Sequence, residues 1–335
     1  MARQFSSGSA VSIAIWHVRA KGFCMVGAVD IGGTKIAAGV VDKDGLVLAK
    51  AECSTDAPRG FDCAMQRVIE MLTQGVDRCG VKLRGIGIGC TGPIDPITGE
   101  LGKVNFFPEW EGHNPVKSLS AAFGVSAAME NDADAAALGE AVWGAGKGKS
   151  SLLYVTIGTG IGGSLILNGR LYRGAGGCHP EVGHHVIDPS GPLCTCGAHG
   201  CWESLASGPS MVEWVRTNAL ASRHNGDLTA KDICERAEAG EEWARQAVER
   251  EAYYLGLGFA NLVTLFAPEA IVMGGSVAKS AKLFLGRIQE IVRQSCGFIP
   301  FEIVEISLAS LGPDVGLIGA AQVWHHHYHA CGGSS

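Results

Sequence analysis

At 335 residues, 47% hydrophobic and 18% charged, the chain has the composition of an ordinary globular protein, long enough to bury a large core in two domains or lobes. A net charge of -6 leaves no basic footprint for nucleic acid, and no apolar run is long enough to span a bilayer. Of the 12 cysteines only Cys194, Cys196 and Cys201 cluster; the others are scattered as small buried hydrophobes, which with no secretory pattern points to a reducing, cytoplasmic compartment.

In chain order, residues 1–24 read as a disordered extension, with Met25 a candidate start. An apolar strand over 26–31 ends in Gly32-Gly33-Thr34-Lys35, resumes over 36–41, and passes through a tight turn at 42–45 into a third strand over 46–49. Met65, Val68, Ile69 and Leu72 recur at helical spacing. A buried strand over 85–89 ends at Cys90-Thr91-Gly92-Pro93, and another over 125–130 stops at Asn131-Asp132, where a helix over 133–142 begins. The glycines of 144–148 predict a hinge.

The second half opens with a strand over 151–157 that enters Gly158-Thr159-Gly160-Ile161-Gly162-Gly163, the spacing of a dinucleotide fingerprint. That fingerprint needs a helix to follow. Here the chain continues as a strand over 164–167, Asn168-Gly169, and a strand over 170–172, and an Asn-Gly pair between short apolar runs predicts a hairpin. Helices near 209–221, 229–239 and 241–266 follow, then a strand over 270–273 ending in Gly274-Gly275, another helix, a strand over 303–308 and a closing helix over 317–324. Two halves that each open with strand, glycine turn and strand imply a duplicated α/β plan with a central cleft. The lobes are expected at 25–143, with helix 317–324 packing back on it, and at 144–316, followed by a disordered tail over 325–335.

Three groups of residues carry chemistry. The turns at Asp30-Ile31-Gly32-Gly33-Thr34-Lys35 and Gly158-Thr159-Gly160 each leave bare amides and a hydroxyl free to hold phosphate oxygens, either as plain hairpins or as the two halves of a triphosphate clamp. In the clamp reading Asp30 holds Mg²⁺, directly or through water, and Lys35 adds charge. No Walker A pattern is present. Asn131 or Asp132 either caps the helix that follows or serves a substrate, Asp132 as general base and Asn131 as hydrogen-bond partner. The densest signal is Glu181-Val-Gly-His184 followed by Cys194-Thr-Cys196-Gly-Ala-His-Gly-Cys201-Trp-Glu203. His184, Cys194, Cys196 and Cys201 match the Cys₃His set of a closed structural zinc site, with His199 a rival ligand. A coordinatively full site disfavours hydrolysis by metal-bound water.

Those motifs, with Cys90-Thr-Gly-Pro93 and Glu130-Asn-Asp132, make the chain resemble the ROK family of sugar kinases and repressors from residue 26 to about 323. The resemblance implies an actin-like, ribonuclease H-like two-lobed fold with a zinc-binding loop, dependence on ATP and Mg²⁺, and transfer of the γ-phosphoryl group to a hexose 6-hydroxyl. By position it implies that Asp132 is the catalytic base. Asn131, Glu181, His184 and Glu203 become sugar ligands, with Gly92 and Asn105 as further sugar contacts. Gly32, Gly33, Thr34, Lys35, Gly158, Thr159 and Gly160 lie at the nucleotide, and Gly274-Gly275 near adenosine.

The family's repressors carry an N-terminal winged-helix domain, of which residues 1–24 show no pattern. An enzyme is therefore expected, acting on hexose and ATP with no nucleic-acid or membrane partner, as a homodimer or homotetramer like its relatives. A non-catalytic sugar-binding protein is the remaining alternative. Residues 104–110 resemble a stretch of the glucokinase members, whereas His179-Pro180-Glu181 resembles fructokinase-like members. Glucose is the first expected substrate, ahead of fructose and of N-acetylmannosamine or N-acetylglucosamine.

Overall fold

A strand apolar on both faces must lie inside a sheet covered on both sides, and β1 (Met25–Ile31) does: Val29 and Ile31 face one cluster, Val26 and Ala28 another. The structure, a computed structural model, describes residues 25–103, 107–218 and 228–329. The extension expected over 1–24, Asn105, the far end of the helix expected over 209–221 and the last six residues of the expected tail lie outside them. Two compact units divide at Gly139/Glu140 and at Ser310/Leu311.

In the first unit, β2 (Lys35–Val41) and β3 (Val47–Ser54) form an antiparallel meander on β1. β3 runs further than the expected 46–49, because Lys50, Glu52 and Ser54 pair with β2 in register even though they are polar. Helix α1 (Phe61–Cys79) buries Met65, Val68 and Leu72 against this sheet and stops at Gly80, which takes φ 62°. The parallel strand β4 (Leu83–Cys90) returns beside β1. A small hairpin of β5 (Ile94–Asp95) and β6 (Glu100–Leu101) follows, then α2 (Pro115–Phe123), whose N-cap Asn114 accepts from Lys117 N–H at 2.8 Å. Strand β7 (Ser126–Asn131) closes the sheet in the order β3-β2-β1-β4-β7 and leads directly into α3 (Asp132–Trp143).

The second unit repeats the plan. β8 (Leu152–Ile157), β9 (Ile161–Leu167) and β10 (Arg170–Leu171) form the meander, with Asn168 at φ 52° and Gly169 at φ 72° between the last two. After the cysteine loop come α4 (Trp202–Ala206), α5 (Gly208–Thr217), α6 (Ala230–Glu238) and the long α7 (Glu242–Phe266). The parallel strands β11 (Ala270–Gly274) and β12 (Glu305–Leu308), with α8 (Leu285–Ser295) between them, complete the order β10-β9-β8-β11-β12. The core lies between this sheet and its helices, with Leu153, Val155 and Ile157 against residues such as Phe259 and Leu255. No helix among the described residues is long and apolar enough to cross a membrane.

The chain then returns to the first unit as α9 (Val315–His329), which packs Leu317, Ala320, Ala321 and Trp324 on the β1 face opposite α1. This corrects the expected helix end at Trp324 and the loose tail beginning at 325. Long-range bonds hold the last turn: His327 Nε2 pairs with Glu130 Oε1 at 2.8 Å, and Tyr328 donates to Ala127 O at 3.0 Å. The division between units also falls earlier than the expected glycine hinge. Fully buried Glu140 belongs to the second unit, accepting from Ala145 N–H at 2.7 Å and Ser310 N–H at 2.9 Å.

Candidate functional site

In the first unit β1 delivers Asp30 to the strand end, and the turn Gly32-Gly33-Thr34 follows. Gly32 N–H donates to Lys35 O at 2.9 Å, and the buried Thr55 clamps the turn from β3, its hydroxyl donating to Gly32 O at 2.6 Å and its N–H to Thr34 O at 2.9 Å. The Gly32 N–H is thereby spent within the turn, while Thr34 and Lys35 at its tip are exposed. Lys35 reaches Glu52 at 3.0 Å, which also pairs with Lys50 at 2.9 Å.

Asp132 stands exposed at the first turn of α3. Its Oδ1 accepts from Ala133 N–H at 2.8 Å, and Asn131 Oδ1 accepts from the same N–H at 2.9 Å, so both side chains do cap the helix. The other carboxylate oxygen remains: Thr91 donates to Asp132 Oδ2 at 2.9 Å, and Thr91 N–H is itself tied to Ile31 O at 3.0 Å. A side chain at Gly92 would meet Asn131 Nδ2 at 3.0 Å, which places Gly92, Asn131 and Asp132 in one group. Burial, and then the neighbouring Asp132 charge, push the Asp30 carboxyl up to about 6.

In the second unit Gly158-Thr159-Gly160 joins β8 to β9, and no helix follows. The third glycine of the apparent dinucleotide spacing has a packing reason instead. A Cβ at Gly163 would overlap Val182, and one at Gly183 would overlap Ile161 O, so β9 and the segment bearing His184 lie in direct contact. Gly275, at φ 90°, approaches the Ile157 backbone, and a Cβ at Gly158 would stand 3.1 Å from Ser276 Oγ; the Gly274-Gly275 corner therefore adjoins the Gly158 turn. Glu203 enters the same neighbourhood, its Oε2 accepting from Ile161 N–H at 2.9 Å.

Four ligand atoms of His184, Cys194, Cys196 and Cys201 lie within 4.8 Å of one another. His184 Nδ1 is 3.5 Å from Cys194 Sγ, and Cys196 Sγ is 3.5 Å from Cys201 Sγ. Tetrahedral zinc with Zn–S bonds of about 2.3 Å holds its sulfurs about 3.8 Å apart, so these residues fit such an ion. Burial, together with the Cys196 and Cys194 thiols, pushes the Cys201 thiol up to about 12, a proton that a bound cation would replace. His199 turns elsewhere, with Nδ1 3.2 Å from Gly191 O, and stands outside the set. Because His184 presents Nδ1 to the sulfurs, Nε2 is left on the opposite edge of the ring. Glu181 is exposed and pairs with His179 Nε2 at 3.3 Å, which holds its carboxyl below the usual range.

Each expected residue among the described ones thus falls with a group in its own unit: Asp30, the first turn, Gly92, Asn131 and Asp132 in one, and the second turn, Gly274-Gly275, Glu181, Glu203 and the metal set in the other; Asn105 lies outside the described residues. Sequence reasoning missed Thr55 and the hydroxyl role of Thr91. Thr91 lies inside Cys90-Thr-Gly-Pro93, whereas Thr55 carries no local signal.

A family model described as "ROK family" matches residues 26–327, and the chain belongs to that family. It is 32% identical over 312 residues to a glucokinase of Streptomyces coelicolor, covering 88% of this chain and 96% of that protein. The crystal structure of a ROK family glucokinase from Streptomyces griseus in complex with glucose and AMPPNP superposes with a TM-score of 0.73 at 32% identity, covering 90% of this chain and 99% of that one. The chain is also 32% identical over 248 residues to the xylose repressor of Bacillus subtilis, covering 73% of itself but 62% of the repressor.

Proposed function

We propose that the protein is an ATP-dependent hexose kinase of the glucokinase type, transferring the γ-phosphoryl group to the sugar 6-hydroxyl. The observation that carries the reading is Asp132: an exposed carboxylate at the start of α3, oriented at both oxygens by the Ala133 N–H and the Thr91 hydroxyl. It accepts the proton of the attacking hydroxyl. The loose transition state of phosphoryl transfer asks little basicity of it.

Backbone amides of the turns at 32–35 and 158–160, other than the internally bonded Gly32 and Gly158 N–H groups, hold the phosphates, with Gly274-Gly275 beside the adenosine. Asn131, Glu181, His184 and Glu203 bind sugar hydroxyls, Gly92 lines their approach, and Asn105 is assigned to the same site by resemblance alone. Asp30 suits a Mg²⁺ ion, directly or through water, since a nearby cation offsets both the burial and the Asp132 repulsion that raise its pKa; bound there, the ion neutralises phosphate charge. Zn²⁺ in the Cys₃His set fixes the tautomer and direction of His184, whose free Nε2 then serves the sugar. Lys35, held by Glu52, contributes charge near the turn rather than a fixed contact.

Similarity to glucokinases over nearly the whole chain supports glucose as acceptor. A second acceptor, fructose or an N-acetylhexosamine, is favoured by one observation: His179 stands against the proposed sugar ligand Glu181. ADP release measured with glucose, fructose, mannose and N-acetylmannosamine tests both, with the highest kcat/KM expected for glucose. Release with none of them overturns the kinase reading.

A further inference from the structure

We propose that Glu203 couples the two substrate sites of the second unit, bracing the nucleotide turn with one carboxylate oxygen while presenting the other to the sugar. This rests on the kinase reading above and goes beyond it by giving a sugar ligand a second duty toward ATP.

Three observations support the bridge. Glu203 Oε2 accepts from Ile161 N–H, the first amide after the turn, at 2.9 Å. Gly160 makes room for it: a Cβ there would overlap that same oxygen, so the carboxylate fills the volume the glycine vacates. Oε1 has no protein hydrogen-bond partner among the described residues and is left for a ligand.

The backbone that carries Glu203 is fixed. Glu203 stands two residues after Cys201 on α4, with Trp202 fully buried and its indole donating to Tyr254 O at 3.0 Å. Ser210 donates to Glu203 O at 2.9 Å. A second strut from the same region meets the same turn, Gly208 N–H donating to Gly158 O at 2.8 Å. The cysteine loop, α4 and the glycine turn therefore form one mechanical chain, and a displacement of the carboxylate on the sugar side is felt at the amides that hold phosphate.

The variants E203A, E203Q and G160A separate this duty from a sugar contact alone. AMPPNP binding is titrated calorimetrically without sugar, and KM is measured for hexose and ATP, on protein whose melting matches wild type. E203A removes the brace, and its AMPPNP affinity falls about three- to tenfold, the loss of one charge-assisted hydrogen bond at a partly solvated site. E203Q still accepts from Ile161 N–H through its amide oxygen, so AMPPNP affinity stays within about twofold while hexose KM rises about tenfold or more. G160A pushes the carboxylate aside and raises hexose KM although residue 160 is no sugar ligand. The proposal is overturned if E203A binds AMPPNP as wild type does, or if G160A leaves hexose KM unchanged. Should wild type phosphorylate no hexose, the kinase reading fails, while the AMPPNP titration still judges the brace.

Discussion

Replacing Asp132 by asparagine isolates its chemistry from its structural duty. In the wild-type chain Oδ1 accepts from Ala133 N–H and Oδ2 from the Thr91 hydroxyl. Asparagine keeps both: its Oδ1 accepts from Ala133 N–H, and its Nδ2 donates to Thr91 Oγ1. With both of these bonds kept at an exposed position, stability should change through them by no more than about 0.5 kcal/mol. Removing the charge also withdraws one of the three causes that raise the Asp30 pKa, the others being burial and Glu52. What is lost is the proton acceptor. General-base catalysis contributes about 10²–10⁴, and a loose phosphoryl-transfer transition state places this case near the lower end, so kcat should fall about 10²–10³-fold, or about 3–4 kcal/mol of barrier. Hexose KM should move less than about tenfold, because the loss is confined to the transition state. Steady-state ADP release at saturating ATP and a calorimetric melt on the same preparation measure both. A kcat within threefold of wild type with an unchanged melt would refute the role, and a variant that unfolds easily would show that Asp132 serves the helix alone.

Three further outcomes are expected. Glu251 is fully buried on α7 with neither carboxylate oxygen hydrogen-bonded, and burial raises its pKa well above normal despite Arg250 at 3.7 Å; the native state therefore binds its proton more tightly than the unfolded chain, and its contribution to stability is full below the unfolded carboxyl pKa and lost as pH rises toward the folded one. Urea unfolding should show E251Q gaining on wild type as pH is raised, and equal slopes would contradict a buried neutral acid. Chelation of the Cys₃His set should lower both the melting temperature and the hexose affinity, since the ligands include proposed sugar partner His184; full turnover in a sample verified free of zinc would break that link. G89A places a Cβ 3.2 Å from Ala135 Cβ and 3.9 Å from Asp132 Cα. A shift of α3 by a few tenths of an ångström should cost several-fold in kcat with a modest drop in melting temperature, since a misplacement of about 1 Å costs about 10²; an unaltered kcat would mean that Asp132 tolerates the displacement.

Local signals in the sequence located what is local in the fold. Asn168-Gly169 predicted a hairpin, and the structure holds both residues at positive φ as a two-residue turn of that kind requires. The same reading set aside a dinucleotide site at Gly158, and contact with Val182 explains the third glycine. Cysteine spacing picked out the four clustered ligand residues, although it could not exclude His199, whose direction depends on a bond to Gly191 O. Long-range pairing was not legible. Thr55 clamps a turn 23 residues away, and His327 meets Glu130 across 197 residues. A polar run such as Lys50 to Ser54 reads as strand only once β2 is known to lie beside it. The histidine run at 325–329 likewise looks like a solvated tail until β7 supplies its partners.

The closing helix and the candidate site share one face of the first sheet. Asp30, Gly89 and Glu130 are in register across β1, β4 and β7, one residue from each of three neighbouring strands. Toward one end of this row, Asp30 lies against Gly316 in the first turn of α9, so close that a Cβ there would overlap its carboxylate. At the other, Glu130 is held by His327, after about 16 Å of the same helix. Between them β4 offers no side chain: Gly85 lies beneath the Trp324 indole and Gly87 beneath the Ala320 carbonyl, which lets the helix rest on the sheet backbone. The helix N-terminus thus faces the Asp30 carboxylate, where its partial positive charge favours the ionised form against the burial that opposes it. Its C-terminal turn fixes the residue that immediately precedes Asn131-Asp132. A segment that reads as the end of the chain is, by this geometry, the brace behind both acids on which the proposed chemistry depends.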